Sequence, residues 1–480
     1  MKSPILGSAY VARSVNAADN RMVNLFPEIV PEGGKEPAFL QRAPGLKFQQ
    51  TIGTGPIRGL WAHQTNGSDF YVVSGSGFYK LTGLTATPTL IGTVAGTGPV
   101  CFADNGTQIF IATNPNGYIY NEATGAFGQI TDPDFPGAVT VAYLDGYFVF
   151  NEPNSQRIWI TALLDGTSID PLDFISAEGS PDGVVSVFTD HRELWVFGTD
   201  TTEVFYDAGL SDFPLTRIPG AFNELGCAAP YSVAKMDNQI YWLGQDARGR
   251  GMVYKAAGYI GQRISTHAVE WQIQQYSDIS DATAYTYQQD GHSFYVLNFP
   301  SANATWVYDA ATGAWHERAG FENGEFTRHR ADNMCNFEGN IVVGDYENGN
   351  IYTFDLEVFQ DNGKPQKWLR SWRALPTGSN TLKRTAQHSL QLDCETGVGL
   401  NDGQGSDPQV MLRWSSNGGH TWSNEHWVSM GKIGEYGQRA IWRRLGMTLK
   451  IRDRVYEVSG TDPVRVYIMG AELTLSGTLY

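Results

Sequence analysis

Short runs of alternating apolar and polar residues recur along this chain in pairs, separated by loops rich in Gly, Asn or Asp. Period-two alternation of aromatic and β-branched residues, bounded by such loops, predicts half-buried strands joined as hairpins. Seven copies can be read between Asp69 and Phe359. The first three are Asp69–Val73 with Gly77–Gly83, Gln108–Ala112 with Gly117–Tyr120, and Gly146–Phe150 with Arg157–Ile160. The next three are Arg192–Phe197 with Glu203–Tyr206, Gln239–Leu243 with Gly251–Tyr254, and His292–Leu297 with Thr305–Tyr308; the last is Gly339–Val343 with Gly349–Phe354. Their starts lie roughly 38 to 53 residues apart, a period that with strand–turn–strand content predicts a β-propeller, one blade per repeat.

Each repeat divides into four strands. In the first, Pro56–His63 is innermost, followed by 69–74, 77–82 and Pro88–Gly92. Innermost strands open on small residues, as in Gly137–Ala142 and Gly183–Val187, which suits a crowded axis. The fold class is therefore all-β: a propeller of six or seven blades over 51–360. Long helical periods are absent, so helix should stay below about 15%.

Outside the repeats the pattern changes. Residues 1–50 are Pro-rich and irregular, yet Leu25, Phe26, Phe39, Leu40 and Leu46 call for burial. They predict an extended arm lying over another surface, a candidate to close the propeller with an added strand. Gln360–Pro365 reads as the start of a linker over 361–388. From 389 to 480 at least five alternating strands predict a β-sandwich-like domain. In Gln409–Trp414, for example, Val410, Leu412 and Trp414 face one way.

Composition refines this picture. Hydrophobic residues are 41% of the chain, enough for a packed core. Cys101, Cys227, Cys335 and Cys394 are far apart, with no Cys-x-x-Cys pair, and read as buried free thiols rather than zinc ligands. The first residues lack a signal-peptide apolar run, and no apolar stretch spans a membrane, so synthesis in a cytoplasm is expected. Sequons at Asn66, Asn105 and Asn303 are then turn sequences only. Net charge is −16, unevenly placed: Lys364 to Arg454 holds 14 basic and 7 acidic residues, leaving the rest at −23. An acidic body with one basic end is a poor phosphate binder and predicts docking between unlike surfaces.

No candidate chemistry converges. His-Glu-x-x-His, Gly-x-Ser-x-Gly and phosphate-loop patterns are missing, and glycosidase carboxylates cannot be picked from 50 acids without geometry. His420 and His426, six apart, are a weak metal pair. Ser415–Trp422 has the Ser-x-Asn-x-Gly-x-Thr-Trp form of an Asp-box hairpin, a stable turn in which Asn bonds backbone and Gly takes positive φ. Asp309–Trp315 resembles a kelch-type blade turn. Catalytic residues, cofactors and metals are therefore none. A sialidase-like glycan hydrolase, or a monomeric glycan- or protein-binding propeller, are the alternatives; a hydrolase would carry several Asp-boxes inside its blades.

Three stretches carry a family resemblance: Asn24–Glu28 with Phe39–Leu46; Ser180–Val185; and Leu390–Gly399 continuing through Met411–Ser423, Gly434–Gly446 and Asp462–Val466. They resemble the tail-hub, nozzle or packaged-DNA stabilisation proteins of short-tailed bacteriophages, along nearly the whole chain. The resemblance implies a structural virion protein of the tail, assembled in the host cytoplasm. It implies a ring, usually a homohexamer, below the portal and its adaptor protein. The ring extends the DNA channel, retains packaged DNA, holds tailspikes or tail fibres, and is closed by a needle or plug. An acidic lumen would let genomic DNA pass without specific binding. Contacts to the adaptor or to a neighbouring subunit are expected among Arg370, Arg373, Lys383, Arg384, Arg439, Arg443, Arg444, Arg452 and Arg454, with Trp442 as apolar anchor. Some of these are expected to be plain solvated strand residues.

Overall fold

A computed structural model describes residues 1–63, 69–177, 179–210, 213–376, 384–448, 450 and 453–477. Among these, one α-helix stands against a great many strands: His267–Gln274, capped by Thr266, whose hydroxyl accepts from the Val269 amide. The seven sequence repeats are each the middle of their own antiparallel sheet, spanning 57–93, 101–129, 141–176, 184–223, 226–263, 283–317 and 331–355. The first six, here blades 1 to 6, are built from consecutive chain. The seventh is composite: its outer strand, Gly45–Thr51, comes from the N-terminal segment and pairs antiparallel with Asn350–Asp355. Its inner strand, Ala331–Phe337, packs on the inner strand of blade 1, and Asn333 Nδ2 donates to the Ile57 carbonyl at 2.8 Å. Packing the first sheet on the last in this way closes the ring, leaving only the short innermost and outermost strands as edges.

The propeller core lies between blades rather than at the axis. Phe110 and Phe148 meet between blades 2 and 3. Phe197 and Trp242 meet between blades 4 and 5, Tyr241 and Tyr295 between blades 5 and 6. Phe70 and Phe337 close the seventh sheet on the first. Polar clasps on one rim repeat the same logic. Arg192 of blade 4 pairs with Asp145 of blade 3 at 2.9 Å, and Lys235 of blade 5 pairs with Asp190 of blade 4 at 2.5 Å. Ser293 and Gln288 of blade 6 donate to Asp237 of blade 5. Small residues are needed where inner strands crowd: a Cβ on Gly59 would stand 2.7 Å from the Phe102 ring.

The sandwich has two sheets with a core of Trp368, Trp372, Trp442 and Tyr456. Residues 361–388, read as a linker, contain the strand Trp368–Arg373, which pairs with Val455–Gly460 along its full length. The composition that suggested a linker is confined to Gln360–Pro365. The N-terminal segment is woven through both domains. Leu25–Ile29 and Ala38–Arg42 extend one sandwich sheet, and Lys2–Ser3 pairs with its strand Tyr467–Gly477. Met22–Val23 lies parallel to the outer strand of blade 6 and antiparallel to Trp368–Arg373. Blade 6 and half the sandwich thereby form one nine-stranded sheet.

Two residues of the N-terminal motifs explain their own positions. Asn24 takes a φ of 53°, which a short polar side chain tolerates. Its amide donates to the carbonyls of Ala319 and Lys367, both at 2.8 Å, bridging propeller and sandwich. Arg42, 3% exposed, donates to the carbonyls of Phe359 at 3.0 Å, Asp462 at 2.6 Å and Val464 at 2.9 Å. One guanidinium thus ties the end of the propeller to the last strands of the chain.

Candidate interaction surfaces

Strand alternation sorts the ten residues expected at a docking surface. In Trp368–Arg373 the even positions face the sandwich core, and Arg370 is among them at 1% exposure. Its Nε donates to the Ile5 carbonyl at 2.7 Å, and burial pushes its pKa down to about 10. Arg454, also 1% exposed, lies against the rings of Trp414 and Tyr456 and donates to the Leu445 carbonyl at 3.0 Å. Trp442 is 4% exposed, a core residue whose Nε1 donates across the sandwich to the His426 carbonyl at 2.8 Å. These three are interior residues rather than contacts. Strand alternation turns Arg370 and Trp442 inward, whereas Arg454 lies just before the strand Val455–Gly460 and is buried by its packing on Trp414 and Tyr456. Arg373 is half-buried and donates to the Val15 carbonyl at 2.6 Å, holding the N-terminal segment. Lys383 and Arg452 lie outside the described residues.

The remaining four form one edge. Arg384, Arg439, Arg443 and Arg444 are exposed and follow the strand Thr385–Cys394. Arg443 is opposite Ser389, the Arg444 amide donates to the His388 carbonyl at 2.7 Å, and Arg439 Nε donates to Gln391 at 3.2 Å. The apolar partner on this side is Trp427, 62% exposed, in His426–Ser429, the terminal strand of the nine-stranded sheet. The sequence carried that signal: inward Val428 puts Trp427 outward. Next to it a glycine-rich turn displays Ile433 and Tyr436, 59% and 73% exposed. The turn is held by the Gly434 amide on the Gly397 carbonyl and by Thr396 Oγ1 on the Tyr436 carbonyl, both at 3.0 Å. Both sandwich sheets end here: among the described residues His426–Ser429 and Ala440–Arg443 each pair with a single neighbouring strand.

Elsewhere the geometry is structural. In the Asp-box turn the Thr421 amide donates to Asn417 Oδ1 at 2.9 Å, and Gly418 and Gly419 have φ of 76° and 100°. Asp309 of the kelch-type turn accepts from the Ala311 amide at 3.0 Å and from Thr312 Oγ1 at 2.6 Å, with Trp315 fully buried beside it. His426 stacks on Trp414, 4.7 Å between centroids. All four cysteines are free, and burial pushes the Cys227 thiol up to about 11. Among the described residues no cluster of His, Cys, Asp and Glu is arranged to hold a metal, and no helix is long and apolar enough to cross a membrane. Along the propeller axis run cavities of about 860 and 630 Å³, lined by Trp61, Lys235, Tyr231 and Asp332 among others.

A propeller welded to a sandwich through one shared sheet defines a nearly all-β scaffold. The chain belongs to the bacteriophage P22 Gp10 family: residues 1–359 match the Bacteriophage P22 Gp10 beta-propeller and residues 367–476 the beta-sandwich. It is 21% identical over 455 residues to the tail hub protein gp10 of Salmonella phage P22, covering 89% of each chain. Among solved structures it is similar to the Neurospora crassa Pan2 WD40 domain, with 9% identity, 62% and 88% of the two chains covered and a TM-score of 0.41. The RRP9 WD40 repeats give 9% identity, coverage of 66% and 100%, and a TM-score of 0.41.

Proposed function

We propose that this chain is a structural tail-hub subunit that forms a ring, a homohexamer by family resemblance, beneath the portal and its adaptor protein. In this reading the ring extends the DNA channel, retains the packaged genome, and anchors tailspikes or fibres, with a needle or plug below. The observation that carries it is the match of both domains, in order, to one phage tail-hub family. Physical features support it. Core between every pair of blades and a shared nine-stranded sheet make a stiff wall. A net charge of −16 disfavours trapping of DNA, because phosphate binding requires clustered cations and counterion release. The role is architectural rather than catalytic. Phage particles assembled without this chain should fill with DNA and then lose it, as measured by nuclease-protected DNA per capsid. Full retention in its absence would contradict the reading.

A further inference from the structure

Between residues 101 and 190 the chain carries twelve Asp and Glu residues and a single basic one, Arg157. This stretch comprises blades 2 and 3 and the inner strand of blade 4. At its rim, the connection between the third and fourth strands of blade 3 exposes Leu163, Leu164 and Leu172 by 60%, 59% and 79%. The loop that displays them is fixed. The Gly166 amide donates to Gln108 Oε1 at 2.8 Å, and the Ile169 amide to Asp132 Oδ2 at 3.2 Å. Asp165 and Asp170 accept from the Thr167 and Leu172 amides, and Ile169 is buried between blades 2 and 3. Leu164 itself has a φ of 59°, uncommon for a bulky residue and imposed by its surroundings. Three exposed leucines on one hydrogen-bonded loop present apolar surface of the kind that marks an interaction site.

The opposite properties stand at the other end of the molecule. The sandwich joins the propeller at blade 6 and at the composite sheet, which face blades 2 and 3 across the ring. His426–Ser429 lies five strand spacings beyond the outer strand of blade 6, roughly 24 Å. This far edge presents Trp427, Ile433 and Tyr436 with Lys432, Arg439, Arg443 and Arg444. One pole is apolar and acidic; the other is aromatic and carries Lys432, Arg439, Arg443 and Arg444 against the exposed Glu425 and Glu435, an excess of two positive charges.

We infer that these poles dock head to tail between copies of this chain, the sandwich edge of one seated on the leucine loop of blade 3 in the next. The inference rests on the ring reading above and names its contact. The partner is a second copy because each surface supplies what the other lacks: cations for Asp165, Asp170 and Asp173, and aromatic area for three leucines. Two unlike surfaces on opposite sides of a subunit make a heterologous contact, which closes into a ring when its rotation allows.

Light scattering of the purified full chain and of two double variants tests this at ~0.15 M salt, where charge steering is only partly screened. Wild type should assemble. Leu163→Asp with Leu172→Asp, and Arg443→Glu with Arg444→Glu, should each weaken self-association at least tenfold, with unchanged circular dichroism and thermal midpoint. An equimolar mixture of the two variants keeps one good contact per pair and should yield one-to-one dimers and nothing larger. Rings that persist in either variant, or a mixture without dimers, overturn the inference and leave the ring intact. An arginine variant that assembles normally but loses affinity for duplex DNA would assign that edge to nucleic acid and overturn it equally. A wild-type chain that remains monomeric overturns the ring reading as well.

Discussion

His292 stands between two carboxylates, Asp309 on its Nδ1 at 2.8 Å and Glu28 on its Nε2 at 2.5 Å. Burial would push its pKa down, but the two hydrogen bonds prevail and raise it to about 9. Glu28 belongs to the N-terminal segment and Asp309 to blade 6, so the imidazolium clamps one to the other. A folded pKa above the ordinary value of about 6.5 gives a stabilisation that is complete below pH 6.5 and is lost as pH rises through 9. Urea unfolding should therefore show stability falling between pH 7 and 9.5 by an amount on the order of 3 kcal/mol. In His292→Asn that part of the slope should vanish. Arg42 makes a second residue-scale prediction. Arg42→Met strands buried carbonyls of Phe359, Asp462 and Val464, each costing about 1–3 kcal/mol. A loss below about 1 kcal/mol in denaturant titration would show that water replaces the guanidinium. The pairing of His292 with Glu28 and of Arg42 with its carbonyls was not legible in sequence, because those partners lie hundreds of residues away. The interior places of Arg370 and Trp442 were legible: alternation in Trp368–Arg373 and Ala440–Arg443 points inward at both.

At the scale of elements, the hairpin repeats were readable because each is a local pattern with its own turn. The strand Phe70–Ser74 follows the alternation of Asp69–Val73 closely, and the same holds for the six later copies. The local pattern marked residues 1–50 as a candidate to close the propeller with an added strand, but not which strands that segment pairs with. Gly45–Thr51 completes the composite sheet, Met22–Val23 welds propeller to sandwich, and Leu25–Ile29 with Ala38–Arg42 widens the second sandwich sheet. Deleting residues 1–51 should thus cost far more than an arm. It leaves three sheets with unpaired edges, which template aggregation. We expect such a truncation to be insoluble or to lose its cooperative thermal transition. A soluble truncation with wild-type far-ultraviolet circular dichroism would show that the segment is an accessory.

On the scale of the whole molecule, two features define the account: a stiff propeller–sandwich body, and charge segregated to opposite poles. The sequence revealed a basic segment from Lys364 to Arg454, but not that its exposed part is the far edge of a sandwich or that the most acidic blades lie across the axis from it. Circular order of blades is a property of closure and appears only once the seventh sheet meets the first. The most direct test of the tail-hub assignment is electron cryo-microscopy of the phage tail itself. A ring of propeller–sandwich subunits around the axial channel, directly below the portal and adaptor, is the expected result. Absence of this chain from the virion, or single copies placed away from the axis, would contradict the account.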